Sequence, residues 1–368
     1  MKEILYILEQ LIKNNNTIPE NINKSMAFCA NWLRSKGINV EILENRGLKM
    51  LVSTVGEKGP TIILNGHIDV VPGDPEDFIP RMEENRFYGR GSYDMLGSVA
   101  TMMKLVEELS TMDLECKVML VIVPDEEQGG PLGTGYLVEN GYLGDMVICG
   151  EPTNLNISIE AKGIIHLEAE IPGNAAHASR PWLGENAILT AYKWYKKLLE
   201  LNIPEKKTDF FDKPSFNLST ISGGAALNQV PDSCVIGVDI RYLPGQNPDD
   251  LINQIKNINP SATVNIIRQG APVNTKKQNP FVQQLYESTK SIIGDEVVFF
   301  GQEGTADTRY YAMHGIPAVE FGPVGANHHG RNEYVELDSL DRYKQILKNY
   351  ILNLKHLRER SILNEVKK

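Results

Sequence analysis

Thr61-Ile-Ile-Leu-Asn-Gly-His67-Ile-Asp69 is an apolar stretch that ends in two side chains of metal-ligand type. His67 and Asp69 are two positions apart, so on a strand their side chains point to the same face of the sheet. Similar apolar runs precede Glu126 and Glu151. Because ligands of parallel sheets gather at the carboxyl ends of the strands, the pattern predicts an α/β sheet with a metal site at that edge. Imidazole and carboxylate together suit zinc or a similar divalent ion.

Strand-like and helical patterns alternate in the first part of the chain. Apolar runs predict buried strands, and apolar residues spaced three and four apart predict helices. The N-terminal helix carries acids among its apolar residues, which distinguishes it from a signal peptide. Such alternation is typical of a mostly parallel sheet with both faces covered. The predicted helices are 1–13, 26–36, 95–109 (with Asp94 as N-cap) and 132–140, and the predicted strands are 49–55, 61–71, 116–123 and 145–149.

The pattern changes near Lys162 to the order β-α-β-β-α-β, which is typical of a ferredoxin-like sheet, and α/β alternation returns after Ala271. A chain of 368 residues also favours two domains. We therefore predict a three-layer α/β domain with a mostly parallel sheet, residues 1–161 and 271–368, interrupted by a smaller α+β ferredoxin-like domain, residues 162–270. The later predicted elements are strands 163–171, 215–222, 234–241, 262–268 and 317–321, and helices 185–201, 249–257, 280–293 and 339–357.

The net charge of −10, without a block of like charges, argues against nucleic acid or an anionic membrane as the main partner. No apolar run approaches the roughly 18 residues that a membrane span requires. The four cysteines form no Cys-x-x-Cys pair, so a thiolate zinc site is not expected. Free thiols suit a reducing compartment, and we expect a cytoplasmic protein with a small-molecule partner.

Six acids and histidines fall at or just after predicted strands or in the loops that follow them: His67, Asp94, Glu126, Glu127, Glu151 and His329. Four carboxylates at one sheet edge would repel each other strongly unless positive charge lay between them. Two divalent ions about 3.5–4 Å apart, bridged by one carboxylate, would remove that repulsion.

The motifs around these residues resemble the M20 metallopeptidase and deacylase family, which contains acetylornithine deacetylases, succinyl-diaminopimelate desuccinylases, aminoacylases and carboxypeptidase G-type enzymes. The resemblance covers nearly the whole chain and depends on the order and spacing of the motifs. They are Gly66-His67-Ile-Asp69-Val-Val-Pro72, Gly89-Arg-Gly-Ser-Tyr-Asp94-Met, Asp125-Glu126-Glu127, Gly150-Glu151-Pro-Thr153, His329-x-x-x-Glu333, Gly173-Asn-Ala-Ala-His177, Gly223-Gly224 through Asn228, and Asp239-Ile-Arg241.

The resemblance implies two divalent metal ions, in the first place zinc, with cobalt or manganese also compatible with the ligands. His67 and Glu151 would bind one ion, Glu127 and His329 the other, and Asp94 would bridge both. His329 is chosen over His328 for its spacing to Glu333. Asp69 would orient His67 through its carboxylate, and Glu126 would be the general base. The two adjacent glutamates can divide these tasks because neighbouring side chains of an extended backbone point opposite ways.

The resemblance also makes the inserted domain a lid and dimerisation domain. His177 would reach the partner subunit of a homodimer and stabilise the tetrahedral oxyanion. Arg241 and Asn228 would hold the substrate carboxylate, for which the planar fork of arginine is suited. Gly304 and Thr305 would line the substrate pocket.

The implied activity is a two-metal hydrolase that removes the acyl group from an N-acyl amino acid. A dipeptidase or carboxypeptidase with the same metal chemistry is the alternative, and a non-catalytic binding protein on this scaffold is a third reading. Glu151-Pro-Thr153 favours the deacetylase and desuccinylase branch. Tyr93, Leu96 and Leu227 depart from the family pattern and leave the substrate open; a succinyl carboxylate would need a basic partner, for which Lys162 and Arg180 are candidates.

Overall fold

The computed structural model describes residues 1–201 and 207–354. The chain divides into two compact units: unit 1 comprises Met1–Ile159, Thr275–Phe300 and Ala306–Lys368, and unit 2 comprises Glu160–Asn274 and Gly301–Thr305. The helices are α1 (Lys2–Lys13), α2 (Pro19–Ser35), α3 (Gly97–Leu109), α4 (Thr134–Glu139), α5 (Ala187–Leu199), α6 (Pro248–Lys256), α7 (Pro280–Ile293), α8 (Thr308–Met313) and α9 (Leu337–Asn353).

The strands are β1 (Glu41–Asn45), β2 (Leu48–Val55), β3 (Thr61–His67), β4 (Arg81–Glu83), β5 (Arg86–Tyr88), β6 (Lys117–Val123), β7 (Met146–Cys149), β8 (Ile157–Ala161), β9 (Gly163–Pro172), β10 (Ser215–Gly223), β11 (Ser233–Tyr242), β12 (Thr263–Gly270), β13 (Val273–Asn274), β14 (Phe299–Gln302), β15 (Ala318–Glu320), β16 (Gly325–Ala326) and β17 (Tyr334–Glu336).

The main sheet of unit 1 runs in the order β1-β2-β6-β3-β7-β15-β8. Its centre is parallel, because β3 pairs in parallel with both β6 and β7, and β7 with β15. The outer pairs, β1 with β2 and β2 with β6, are antiparallel. The four parallel strands therefore end at one edge, and the predicted α/β class with a mostly parallel central sheet is confirmed.

Helices cover both faces of this sheet. On one face, Ile63, Val121 and Val147 pack into an apolar cluster with Leu137 of α4 and Tyr311 of α8. Successive strand residues alternate between faces, so Gly66 lies on the opposite face from Ile63. There a β-carbon at Gly66 would come within 2.7 Å of the side chain of Val99 in α3. Glycine at this position therefore lets α3 pack directly against the strand that ends in His67.

Unit 2 contains an antiparallel sheet in the order β10-β11-β9-β12. Its elements follow one another as β9, α5, β10, β11, α6 and β12, which is the predicted ferredoxin-like order. Trp194 of α5 and Ile255 of α6 are buried in one core with the inward-facing residues of β9 and β11. The side chain of Asn186 caps α5 by accepting from the backbone N–H groups of Ile188 and Leu189.

Several local predictions were wrong or incomplete. Strand β3 ends at His67 and does not continue to Val71, because Ile68–Val70 leave the sheet register. Asp94 is not the N-cap of α3: it lies in the kinked turn Ser92–Leu96, with φ −117° and ψ 93°, and α3 begins at Gly97. The sequence reading also missed the small sheet β16-β17-β5-β4 and helix α8. The predicted end of the last helix, 355–357, lies outside the described residues.

Among the residues that the structure describes, none of the helices combines the length and the apolar character that crossing a bilayer demands.

Gly66→Ala is expected to destabilise the protein by about 1–3 kcal/mol, because the added methyl group overpacks the contact with Val99. The measurement is urea unfolding with chelator present, so that metal binding does not enter. Gly304→Ala is the control, since a β-carbon there meets no atom within 4 Å. Equal stability of the two variants would contradict the packing argument.

Candidate metal centre

Three parallel strands and one loop of the small sheet carry the candidate ligands. His329 lies between β16 and β17. His67 ends β3, Glu126 and Glu127 follow β6, and Glu151 follows β7, all at one edge of the main sheet. This is the edge at which open α/β sheets bind their ligands. Asp94 comes from the kinked turn before α3.

Asp94 lies between two imidazoles. Its Oδ1 atom is 3.2 Å from Nε2 of His67, and its Oδ2 atom is 3.1 Å from Nε2 of His329. Nε2 of His329 is also 3.1 Å from Oε1 of Glu127. One ligand atom from each of His67, Asp94 and Glu127 lies within 4.8 Å of the other two. With one oxygen directed to each histidine, Asp94 has the geometry of a bridging ligand.

The charges at this edge favour a bound cation. Burial raises the pKa of Glu151 well above its usual range, and the charge of Asp94 raises it further. Burial also opposes ionisation of Asp94, but hydrogen bonds from His329 and His67 outweigh it and hold the pKa of Asp94 below its usual range. Hydrogen bonds to Asp94 and Glu127 raise the pKa of His329 to about 10. A divalent ion would supply the positive charge that these acids attract, and the set of imidazole and carboxylate donors fits such an ion.

His67 is oriented for binding through Nε2. Its Nδ1–H donates to the backbone carbonyl of Asp69 at 2.9 Å, and since a carbonyl can only accept, Nδ1 carries the proton. The carboxylate of Asp69 is farther, at 3.5 Å. It accepts instead from the backbone N–H groups of Glu126 and Glu127, at 3.1 and 2.9 Å. Asp69 therefore holds both His67 and the turn that carries the two glutamates.

We predicted that the two glutamates lie in extended backbone, and this prediction was wrong. Residues Glu126–Gln128 form a short 3-10 turn. The different directions of their side chains are therefore set by this turn and not by strand alternation. Burial raises the pKa of Glu126 well above its usual range, and the charges of Asp94 and Glu127 also raise it. A raised pKa suits a group that must take up and release a proton near neutral pH.

Glu151 is buried, and its Oε1 atom lies 3.6 Å from the thiol of Cys149. Cys149 also lies 3.1 Å from Oδ1 of Asn65. All four cysteines are buried.

His328 and His329 have different surroundings. His329 makes the contacts with Asp94 and Glu127, whereas the ring of His328 packs edge-on against Tyr93, with centroids 6.0 Å apart. The hydroxyl of Tyr93 donates to Oδ1 of Asn154 at 2.8 Å. Tyr93, one of the departures from the family pattern, is thus buried as a support for the histidine pair.

The sequence reading missed two buried acids beneath the glutamate turn. Asp125 accepts from the backbone N–H of Leu132 at 2.8 Å, and burial raises its pKa to about 7. Asp307 accepts from the hydroxyl of Thr134 at 2.6 Å, and burial raises its pKa as well. Their positions in the sequence could have identified them. Asp125 directly precedes the two glutamates, and Asp307 lies two positions after Thr305.

In unit 2, His177 and Asn228 are neighbours. The exposed imidazole of His177 makes a 2.8 Å hydrogen bond between Nδ1 and the hydroxyl of Ser179. The backbone N–H of Ala178 donates to the carbonyl of Asn228 at 2.9 Å, and His177 forms an isolated bridge with Gln229. The side chain of Asn228 is exposed.

Arg241 is held by an acid on its own strand. Its Nε and Nη2 atoms donate to the two carboxylate oxygens of Asp239 at 2.8 and 3.1 Å, and His166 lies 3.1 Å from the same carboxylate. Thr305 donates from its hydroxyl to the carbonyl of Lys162 at 2.7 Å, and Gly304 is exposed.

The family model described as peptidase family M20/M25/M40 matches residues 63–353. Succinyl-diaminopimelate desuccinylase from Hydrogenovibrio crunogenus is 27% identical over 96% of this chain and 99% of its own length. The enzyme of the same name from Gluconobacter oxydans is 30% identical over 80% of this chain and 82% of its own length.

Solved structures show the same fold. Aminopeptidase PepT from Bacillus cereus matches with a TM-score of 0.79 at 18% identity, over 95% of this chain and 97% of that one. An M20 metallo-carboxypeptidase from Sulfolobus solfataricus gives 0.78 at 19%, over 95% and 99%. A Bacillus subtilis protein described as a dinuclear metal binding peptidase gives 0.70 at 14%, over 95% and 98%.

Asp94→Asn is expected to weaken metal binding by at least about 100-fold, because even the partners of metal ligands are worth 10–100-fold in affinity. The measurement is metal content after dialysis together with titration calorimetry. Asp113→Asn is the matched control, since Asp113 is an 89% exposed acid paired with Lys58. Two tightly bound ions in Asp94→Asn would contradict the bridging geometry.

Proposed function

This chain belongs to peptidase family M20/M25/M40, and from that premise we propose that it hydrolyses the amide bond of an N-succinyl amino acid that carries a free carboxylate, with succinyl-diaminopimelate as the reference substrate. The observation that carries the chemistry is the convergence of His67, Asp94, Glu127 and His329 beside Glu126. Support for the substrate comes from the desuccinylases, which match nearly end to end. The solved peptidases support the fold alone.

The proposed ligand sets divide the cluster into two. His67 and Glu151 would hold one ion, Glu127 and His329 would hold the other, and Asp94 would contribute to both. Zinc is the proposed metal, because neutral imidazole and carboxylate are its usual nitrogen and oxygen ligands. When bound, the ions supply a Lewis acid that polarises the amide carbonyl and lowers the pKa of water.

The remaining chemistry is the work of this chain's own residues. The carboxylate of Glu126 accepts the proton of the attacking water and returns it to the nitrogen of the leaving amine. Asp69 keeps Glu126 in place through the N–H group of Glu126 itself, at 3.1 Å.

Substrate binding is proposed for unit 2. The guanidinium of Arg241 is already oriented by Asp239, so less side-chain freedom is lost when Arg241 binds the substrate carboxylate. Lys162 is the better candidate for the succinyl carboxylate, because its side chain is 7% exposed and its ammonium lies 2.5 Å from Glu303. Glu303 itself is 76% exposed and can yield to a second carboxylate. Arg180, by contrast, is exposed.

The reference substrate is expected to be hydrolysed with a kcat/KM at least about tenfold above that of N-acetylornithine and of dipeptides, since a succinyl carboxylate adds a hydrogen bond to a charged group. Lys162→Met should lower kcat/KM for the succinyl compound by about 10-fold or more and leave the acetyl compound unaffected. The measurement is steady-state turnover of the three substrates by the metal-loaded enzyme.

Glu126→Gln is the blank for this experiment. It should lose about 10²–10⁴-fold in kcat, because general acid–base catalysis typically supplies that factor, while its metal content stays at the parental level. If dipeptides are hydrolysed fastest, the peptidase alternative replaces the deacylase proposal. Parental turnover by Glu126→Gln would contradict the proposed role of Glu126 as general base.

We also propose that each active site is completed by His177 of a second copy of this chain. Within unit 2, Arg241 pairs with Ile164 near the start of β9, whereas Ser233 pairs with Pro172 at its end. His177 follows that second end, and Asn228 lies beside it, so within one subunit Asn228 does not share a substrate carboxylate with Arg241 as predicted. Eight residues of strand separate the two ends by about 27 Å, which is too far for one small substrate to reach both groups of a single subunit.

The surface of unit 2 supports this assembly. Strand β10 is an edge strand and is largely exposed, including Ile221 at 51%. Helix α5 exposes Leu189 and Tyr192 beside it. An exposed edge strand with an apolar helix face is suited to pairing with a second copy around a two-fold axis.

A heterodimer of Glu126→Gln and His177→Ala subunits, isolated through two different tags, is expected to recover about half of the parental rate, because one of its two sites then contains both groups. Each homodimeric variant should be inactive in the same assay. If His177 acts within its own subunit, neither site of the heterodimer is complete and no activity returns. Light scattering that finds a monomer would also contradict the shared site.

A further inference from the structure

We propose that Arg90 and Glu333 are a positioning pair that fixes the loops of Asp94 and His329 relative to each other. This inference depends on the proposed metal site, because it concerns two of the ligands. Arg90 and Glu333 are 4% and 3% exposed and form an ion pair of 3.1 Å between Nη1 and Oε2. Neither side chain is assigned to a metal, to the general base or to substrate.

Glu333 holds the loop that carries Asp94. Its Oε1 atom accepts from the backbone N–H groups of Tyr93 and Asp94, both at 3.0 Å. Its Oε2 atom accepts from the N–H of Gly91 at 2.9 Å. One buried carboxylate therefore binds three backbone donors of a four-residue loop, and one of these belongs to the bridging ligand itself.

Arg90 connects that loop to the one with His329. Its Nη1 atom donates to Glu333 and also, at 3.0 Å, to the carbonyl of Gly330, the residue directly after His329. Nη2 of Arg90 lies 3.6 Å from Oδ2 of Asp77, which fixes the other side of the guanidinium. Since the fork is planar and rigid, the positions of the two loops are coupled through it.

Both loops need external support. Asp94 departs from helical geometry inside the turn Ser92–Leu96. His329 has a φ of 61°, and its neighbours Asn327 and Asn332 have φ values of 63° and 57°. Residues other than glycine populate this left-handed region sparsely, so surrounding contacts must hold them there. The imidazole of His329 is half exposed and obtains little from its own packing.

A purely structural ion pair would give a different result from a positioning pair. Breaking a buried pair destabilises the fold in either case, because one charge is left uncompensated. Breaking a positioning pair also weakens metal binding, by more than the separately measured loss of stability explains. The matched control is Glu108, a partly buried acid that pairs with Lys344 and Lys348 and is not one of the site residues.

Glu333→Gln is expected to bind at least one of the two ions about 10–100-fold more weakly than the parent, as loss of a partner of metal ligands typically does. Its kcat should fall while KM changes by less than about threefold, because the lost interaction does not touch substrate. Glu108→Gln should lower Tm and keep the parental metal affinity. The measurements are zinc titration calorimetry, Tm with and without zinc, and steady-state kinetics of the full-length protein.

Arg90→Lys keeps the charge for Glu333 but loses the fork, and serves if Glu333→Gln does not fold. It is expected to lose about tenfold in affinity for zinc. Parental zinc affinity in either folded variant overturns the inference, even if Tm falls. Failure of the proposed function is distinguishable, because then the parent itself binds no zinc or hydrolyses none of the acyl amino acids.

Discussion

Carboxylates accumulate at the carboxyl edge of the main sheet because four neighbouring parallel strands all end there. Asp94 and Glu127 both approach the imidazole of His329, and burial together with the charge of Asp94 raises the pKa of Glu151. Hydrogen bonds to Asp94 and Glu127 raise the pKa of His329 to about 10. The strand order, the contact of Gly66 with α3 and the kinked turn at Asp94 together bring these groups to one place.

The acids at this edge fall into two groups according to their partners. Asp69, Glu333 and Asp125 accept from backbone N–H groups of the loops that carry the ligands. Glu333 is the fullest case, because three backbone N–H groups and Arg90 occupy the four acceptor sites of its carboxylate. Asp94 and Glu127 instead direct their oxygens at imidazoles. This distinction separates supporting acids from candidate ligands where residue type alone cannot.

The central strands of the main sheet were predicted from local signals, and the candidate ligands stay predictions that depend on their places after those strands. An apolar run predicts a strand, but the predicted strand 61–71 passed His67, where β3 ends. The conformation at Asp94 is different, since its loop is held by Glu333, 239 positions away. No local pattern encodes that contact, and the helical periodicity after Met95 therefore suggested an N-cap. The turn at Glu126 was missed for the same reason, because Asp69 holds it from 57 positions away.

Unit 2 shows how a sheet can divide one task between two places. Antiparallel pairing of β9 with β11 sets Arg241 beside Ile164 at one end and brings His177 and Asn228 together beyond the other. A strand of this length is rigid, so flexing of side chains cannot close a gap of about 27 Å. If Arg241 and His177 act on one small substrate, as proposed, the two groups come from different copies of the chain. The length of β11 is thus itself an argument that the proposed active site belongs to an assembly and not to a single chain.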